Sequence, residues 1–333
     1  MRYKMKKVFN KAKEIIKVVL VAWLEGRALS VTKKIKTKKE LEVKAKLQLN
    51  QILNLLELEI KKRIPHSYWP VAQISLAKQL LKPDALKNFL RCEKIKETMN
   101  ETYALFLIKE YFVVLTKIYQ YKFNKAILQD YAIGNPVPFC LNRKTSGNLV
   151  HHLYHIFKYL DFLGQNSQKK LFELSEIYEF GGGYGNMCRL FFKLGFRGRY
   201  YIQDLPILNV LQKFFLGNIA LQNEILKKKW PAFKNIVFTD EVPLLSSKLN
   251  NKRLYVATWS LSECPPKVRK QQHSVLNKCN YFLIGFRESF EGLNNKEYFA
   301  ALCSTRPDIS WKVVPIPHLP ESYYLFGKPK LVT

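Results

Sequence analysis

Glu179-Phe-Gly-Gly-Gly-Tyr-Gly-Asn-Met187 decides how the rest of this chain reads. Before it stands the short apolar run Ser175-Glu-Ile-Tyr-Glu-Phe180, which has the length and make-up of a buried strand. After it, Cys188-Arg-Leu-Phe-Phe-Lys-Leu194 carries apolar residues at helical spacing. A strand, clustered glycines and a helix form the arrangement with which α/β proteins hold nucleotides. Without side chains the backbone can approach the ligand, and the helix N-terminus offers unpaired N–H groups. Gly181, Gly183 and Gly185 are the glycines placed for that approach, and Tyr184 reads as a pocket wall or as core. A second apolar run, Tyr200-Tyr-Ile-Gln203, ends in Asp204, where a carboxylate accepts hydrogen bonds from ribose hydroxyls.

Downstream the pattern keeps alternating. Strands are expected at 175–180, 199–204, 235–239, 253–258 and 280–286. Helices are expected at 184–194, 206–217, 266–277 and 295–304, with a poorer one near 242–248. Five strands alternating with helices imply an α/β fold around a parallel, doubly wound sheet. Two further strands, Trp311–Ile316 and Tyr323–Phe326, are joined by Pro317-His-Leu-Pro320 and suggest a hairpin that adds an antiparallel edge strand.

Residues 1–130 read as a separate helical, basic region, and 131–333 as the nucleotide-binding domain. Apolar spacing predicts helices over 47–60, 71–81 and 101–128, and Pro83-Asp84 reads as the start of one over Ala85–Cys92. The apolar run at 15–24 is interrupted by Lys17 and too short to span a bilayer, so it reads as an amphipathic helix. This half is either a lid or cap with a basic face, or a helical layer with solvated lysines. Gly134-Asn-Pro-Val-Pro138 is a turn cluster at the joint, and Leu141–Asn148 extends that loop up to a helix over 149–163.

The 333 residues are 47% hydrophobic and 14% aromatic, enough for a packed core rather than a disordered chain. The formal charge of +29 favours an anionic partner such as nucleic acid, an acidic membrane surface or a negatively charged glycan; a lysine-rich composition explains it equally. Six cysteines are scattered without a Cys-x-x-Cys pair, which excludes a zinc or disulfide framework and fits a reducing cytoplasm. His151 and His155 share a helix face at metal-ligand spacing, but no third ligand accompanies them, so a divalent metal is unsupported.

Counting from Gly181, the sixth position of a dinucleotide fingerprint holds Asn186 in place of glycine, and no Gly-Lys-Ser/Thr follows to make a phosphate loop of the Walker type. Glu179-x-Gly-x-Gly-x-Gly185 instead is similar to the first motif of class I S-adenosylmethionine-dependent methyltransferases. Asp204-Leu-Pro206, Trp259-Ser-Leu-Ser-Glu263 and Tyr323-Tyr-Leu-Phe-Gly327 accompany it, with Gly134-Asn-Pro136 and Ser146-Gly-Asn148 ahead of it. Together they resemble the sugar O-methyltransferase family of bacterial surface-glycan loci, over roughly residues 130–327.

The resemblance implies a Rossmann-like, mostly parallel seven-stranded sheet with an antiparallel last strand. It implies S-adenosyl-L-methionine as methyl donor, with Glu179 near the cationic methionine end and Asp204 and Leu205 at the ribose. The acceptor it implies is a sugar hydroxyl of a surface glycan or of its nucleotide- or lipid-linked precursor, handled in the cytoplasm or at the inner membrane face.

Methyl transfer to a hydroxyl needs positioning, desolvation and a base. Glu263, after the fourth strand, is the first candidate base; alternatively it is a helix-start acid beside Pro265-Pro266. His318 and His152 are the other candidates, because imidazole suits the task by its pKa. Arg269 and Arg287 present forks that suit a carboxylate or phosphate of the acceptor, or are simply solvated, and Ser262, on the loop of Glu263, is a further candidate for binding the acceptor. Asp240 either contacts the adenine amino group or caps a helix, and Trp259 is a pocket wall or core. RNA is the alternative acceptor that the basic charge allows, although no Asn-Pro-Pro-Tyr motif is present. Oligomeric state leaves no trace in the sequence.

Overall fold

The computed structural model describes residues 38–62, 68–99, 105–225, 233–243, 245 and 252–330. The amphipathic helix expected at 15–24 lies outside them. Contacts divide the chain into two units: Met1–Lys38 with Leu56–His155, and Lys39–Leu55 with Ile156–Thr333. The expected seam at 130/131 thus differs from this grouping in where 131–155 and 39–55 belong.

The second unit is built on a seven-stranded sheet. Its strands are β3 (Glu176–Phe180), β4 (Arg199–Gln203), β5 (Ile236–Thr239), β6 (Arg253–Thr258), β7 (Tyr281–Arg287), β10 (Ile309–Pro315) and β11 (Ser322–Pro329). β1 (Pro138–Phe139) with β2 (Asn142–Ser146), and β8 (Ser289–Phe290) with β9 (Leu293–Asn294), form two small antiparallel ribbons. The sheet order is β10-β11-β7-β6-β3-β4-β5. β3, β4, β5, β6 and β7 are mutually parallel, and β11 is antiparallel to both β7 and β10. This is the Rossmann-like, mostly parallel sheet expected from the sequence. The central strands are aromatic and β-branched and buried along nearly their whole length, as a sheet covered by helices on both faces requires.

One expectation is corrected. The antiparallel strand does not form the edge: β11 inserts between β7 and β10, and β10 is the edge. Burial gives the reason, since Tyr324, Leu325 and Phe326 of β11 are covered on both faces while Lys312 and Val313 of β10 are exposed.

Helices connect the parallel strands: α7 (Asn186–Lys193), α8 (Pro206–Ile225), α9 (Pro266–Leu276) and α10 (Asn295–Ser304). Proline at the first position of α8 and of α9 supplies a preset φ where no amide bond is lost. α10 is capped by Asn294, whose side chain accepts from Glu297 N–H at 3.2 Å. One sheet face packs Tyr178, Tyr201, Tyr255, Phe282 and Ile284 against residues of α9 and α10, including Val275, Phe299 and Leu302. The helix expected near 242–248 is absent at 242, 243 and 245; its other residues lie outside the described ones.

Besides the β1–β2 ribbon, the described part of the first unit holds helices: α1 (Lys39–Lys62, of which Lys39–Leu55 group with the sheet), α2 (Tyr68–Leu81), α3 (Glu93–Met99) and α4 (Leu105–Gln120). Over 85–92 the chain makes turns and a 3-10 segment at Phe89–Arg91 instead of an α-helix. Asp84 takes a left-handed φ of 54°, and Asn88 Nδ2 holds Asp84 O at 2.9 Å, which closes the segment into turns. The helix expected to 128 stops at Gln120, because Lys122 turns left-handed (φ 53°) and Asn124 then caps a 3-10 turn over Lys125–Leu128. Residues 141–146, read as loop, belong to the β1–β2 ribbon. α5 (Gly147–Leu163) carries the three histidines, and α6 (Ser167–Phe172) follows it. Among the described residues no helix is long and apolar enough to cross a membrane.

Candidate active site

Strand order reverses beside β3: β4 and β5 lie to one side of it, β6 and β7 to the other. Ligands of open α/β sheets bind at the carboxyl ends of the strands at such a point. Three loops meet there.

The first is the glycine loop after β3. Gly181, Gly183 and Gly185 have φ of 76°, 58° and 90°, a region that side chains rarely enter. Gly182 is required for space instead, because a Cβ would fall 2.5 Å from Ile202 and 3.1 Å from the Glu179 carboxylate beneath it. Asn186 opens α7 fully buried and accepts from Arg189. Tyr184 is 2% exposed, with its ring edge-on to Phe215 at 5.0 Å, so it packs inward on α8.

The second is Asp204, one residue past β4. Its Oδ1 accepts from Leu205 N–H at 2.8 Å, and its Oδ2 accepts from Gly183 N–H at 2.8 Å and from Gln212 Nε2 at 3.0 Å. Oδ1 therefore keeps acceptor capacity for a further hydroxyl. Burial pushes Asp204 up to about 7, against the pull of Leu205 N–H, Gly183 N–H and the Gln212 amide.

Glu179 lies nearby, 3% exposed, accepting from the Tyr200 hydroxyl at 2.9 Å. Burial pushes it up to about 8; the Tyr200 hydrogen bond opposes the shift and the Asp204 charge adds to it. Among the described residues neither carboxyl group is ion-paired to a lysine or arginine. In a chain of charge +29, two mutually repelling acids that no described lysine or arginine neutralises form a site that a cationic ligand would stabilise.

The third loop is Trp259–Glu263 after β6. Trp259 adopts φ 65°, a strained conformation for a bulky residue. Its N–H donates to Gly285 O at 2.7 Å, and its carbonyl accepts from Ser262 Oγ at 2.7 Å and Glu263 N–H at 3.0 Å. Ser260 Oγ donates to Phe180 O, which ties this loop to the end of β3.

Ser262 is fully buried, and Arg269 is 4% exposed with Nη2 on Ser262 O and Nε on Cys264 O, at 2.7 and 2.8 Å. The Arg269 guanidinium also lies 4.8 Å from the Tyr298 ring centroid. Both side chains brace the loop. Glu263 is half-buried, and burial raises its pKa, while the neighbouring Arg287 charge opposes the rise. Arg287 ends β7 and is exposed, and Asp240 follows β5, also exposed.

His318 lies in the turn between β10 and β11. His152 belongs to the other unit, half-buried on α5. In that unit His151 Nδ1 is 2.9 Å from Oε2 of the buried Glu110, and its ring stands edge-on to His155 at 4.1 Å. Among the described residues no group of three His, Cys, Asp or Glu could hold a metal ion.

Sequence reasoning missed Gln212, Ser260 and Tyr200. Gln212 had a readable signal, as a polar residue within the apolar run Val210–Leu216; the other two become visible only when neighbouring strands are aligned.

No protein-family model matches this chain, and no curated protein does. Solved structures do. The chain is similar to the mitomycin 7-O-methyltransferase MmcR at 11% identity, covering 54% of this chain and 57% of that one, with a TM-score of 0.34. It is similar to an rRNA methylase from Streptococcus thermophilus at 12% identity, covering 53% and 97%, with a TM-score of 0.36. For the glycopeptide N-methyltransferase MtfA the identity is 10%, the coverage 46% and 89%, and the TM-score 0.32. The chain thus spans just over half the length of MmcR.

Proposed function

We propose that this protein is an S-adenosylmethionine-dependent O-methyltransferase whose acceptor is a sugar hydroxyl. The observation that carries the cofactor is the pair Glu179, buried, and Asp204, half-buried, which no lysine or arginine among the described residues neutralises, beside a left-handed glycine loop. The cofactor, when bound, supplies a methyl group on a sulfonium. Asp204 Oδ1 would accept from a ribose hydroxyl, the glycine loop would admit the ligand backbone-close, and Glu179 would neutralise the cationic end. Leu205 and Trp259 would flank the ligand, with Tyr184 shaping the loop from behind and Asp240 at the adenine rim.

Glu263 is the proposed base, taking the acceptor hydroxyl proton on its carboxylate; its raised pKa makes it a better base than an exposed glutamate. His318 and His152 are the alternatives. Arg287 would hold an anionic group of the acceptor, and Arg269 with Ser262 would keep Glu263's loop in shape. The sugar assignment rests on the motif resemblance.

Calorimetric titration with S-adenosylhomocysteine tests the reading. The wild type binds, and Asp204→Asn, while remaining folded, binds about ten-fold or more weakly, by loss of charge-assisted hydrogen bonds. Failure of the wild type to bind, or binding of NADH in its place, overturns it.

The +29 charge favours a second reading, in which the same chemistry acts on RNA.

A further inference from the structure

Gln212 lies in α8, fully buried, and no motif singles it out. Its Nε2 amide donates to Gly183 O at 3.0 Å and to Asp204 Oδ2 at 3.0 Å. Gly183 N–H donates to that same oxygen at 2.8 Å. Loop, carboxylate and helix therefore close on one another through a single side chain. One turn earlier, Asn209 Nδ2 donates to Asp204 O at 3.2 Å, so the same helix face holds this residue by its backbone as well. The Nε2 half of the amide is what the position uses, since Oε1 is buried with no hydrogen-bond partner among the described residues. It presents two N–H donors to two acceptors, whereas a carboxylate there would repel Asp204.

We propose that Gln212 is a positioning residue that fixes the glycine loop and Asp204 in the register that receives the ribose. It acts through Asp204 and touches no reacting atom. The inference rests on the cofactor reading above. A consequence separates positioning from mere packing. The Gln212 amide is one of three donors holding Asp204 down against burial, and Glu179 from β3 and Cys264 from the loop after β6 are the titratable groups that face it. Without that amide, Asp204 ionises only at higher pH, so binding should fail first on the acid side and recover as pH rises.

The full chain and Gln212→Leu are titrated with S-adenosylhomocysteine between about pH 6 and about pH 9, a range spanning the carboxyl groups concerned. Near neutrality the variant is expected to bind about ten- to hundred-fold more weakly, and the midpoint of its affinity–pH curve to lie above that of the wild type. Equal affinity overturns the proposal, and so does a uniform loss with an unmoved midpoint. Should Gln212→Leu not fold, Gln212→Glu keeps the length of the side chain. Its affinity should fall further below wild type as pH rises, and wild-type affinity in this variant overturns the proposal too. A wild type that ignores S-adenosylhomocysteine sinks the cofactor reading itself, whereas binding by the wild type with unaltered variants sinks only the role of Gln212.

Discussion

Glu179 lies near the end of β3 and Asp204 just past the neighbouring β4, and burial raises the pKa of both. The sequence marks both as acids of a nucleotide site, but the charge state is a tertiary property. A pKa of about 8 leaves Glu179 mostly protonated at neutral pH until a cation arrives. The stability consequence has a definite sign. Unfolded, Glu179 titrates near the ordinary glutamate value of 4.5; folded, near 8. Its favourable contribution is complete below the lower value and is lost as pH rises through the higher one. Glu179→Gln should therefore match the wild type in acid and become more stable than it by about 1.4 kcal/mol for each pH unit across that window, before any cost of the amide itself. Denaturant unfolding at stepped pH measures the difference, and a gap that stays constant with pH would refute the buried-acid account.

At the scale of elements, the loops after β3 and β6 are locked by contact at one point. A Cβ on Gly181 would lie 2.3 Å from the Ser260 Cβ, and the residue also has a left-handed φ. Gly164 is left-handed too, yet a Cβ there meets nothing within 4 Å. Gly164→Ala should cost about 1–2 kcal/mol from backbone strain alone. Gly181→Ala should cost about 1–3 kcal/mol more, because the β6 loop must move aside. Unfolding curves of the two variants give the order, and only Gly181→Ala should also weaken S-adenosylhomocysteine binding. The strands and helices around these loops were legible from apolar periodicity, and most fall within two residues of their expected ends. Two of the exceptions have local causes, since the left-handed Asp84 and Lys122 end or prevent helices that spacing alone would continue, whereas α1 and α8 run beyond their expected bounds, from Lys39 and to Ile225.

At the scale of the molecule, the charge of +29 is the largest feature that the candidate site does not use. We propose that it docks the protein on an acidic membrane face, near a lipid-linked acceptor. The full chain should then sediment with vesicles containing anionic lipid and not with neutral ones, and salt should release it within a few-fold rise in ionic strength. Binding indifferent to anionic lipid is inconsistent with such docking. Tight binding to RNA with a steep salt dependence would shift the acceptor to nucleic acid.

The alternation of strands and helices, the glycine loop and the acid that follows the next strand could be read before folding, because each is written in consecutive residues. Sheet order was not written there. β11 takes the inner position because its residues suit burial on both faces and those of β10 do not, a comparison that exists only once the strands lie side by side. The inward turn of Arg269 and Ser262, the grip of Gln212 on Asp204 and the protonation of Glu179 were likewise decided by tertiary structure. Hydrogen bonding and desolvation depend on which groups come within reach, and folding brings these groups together from different segments of the chain.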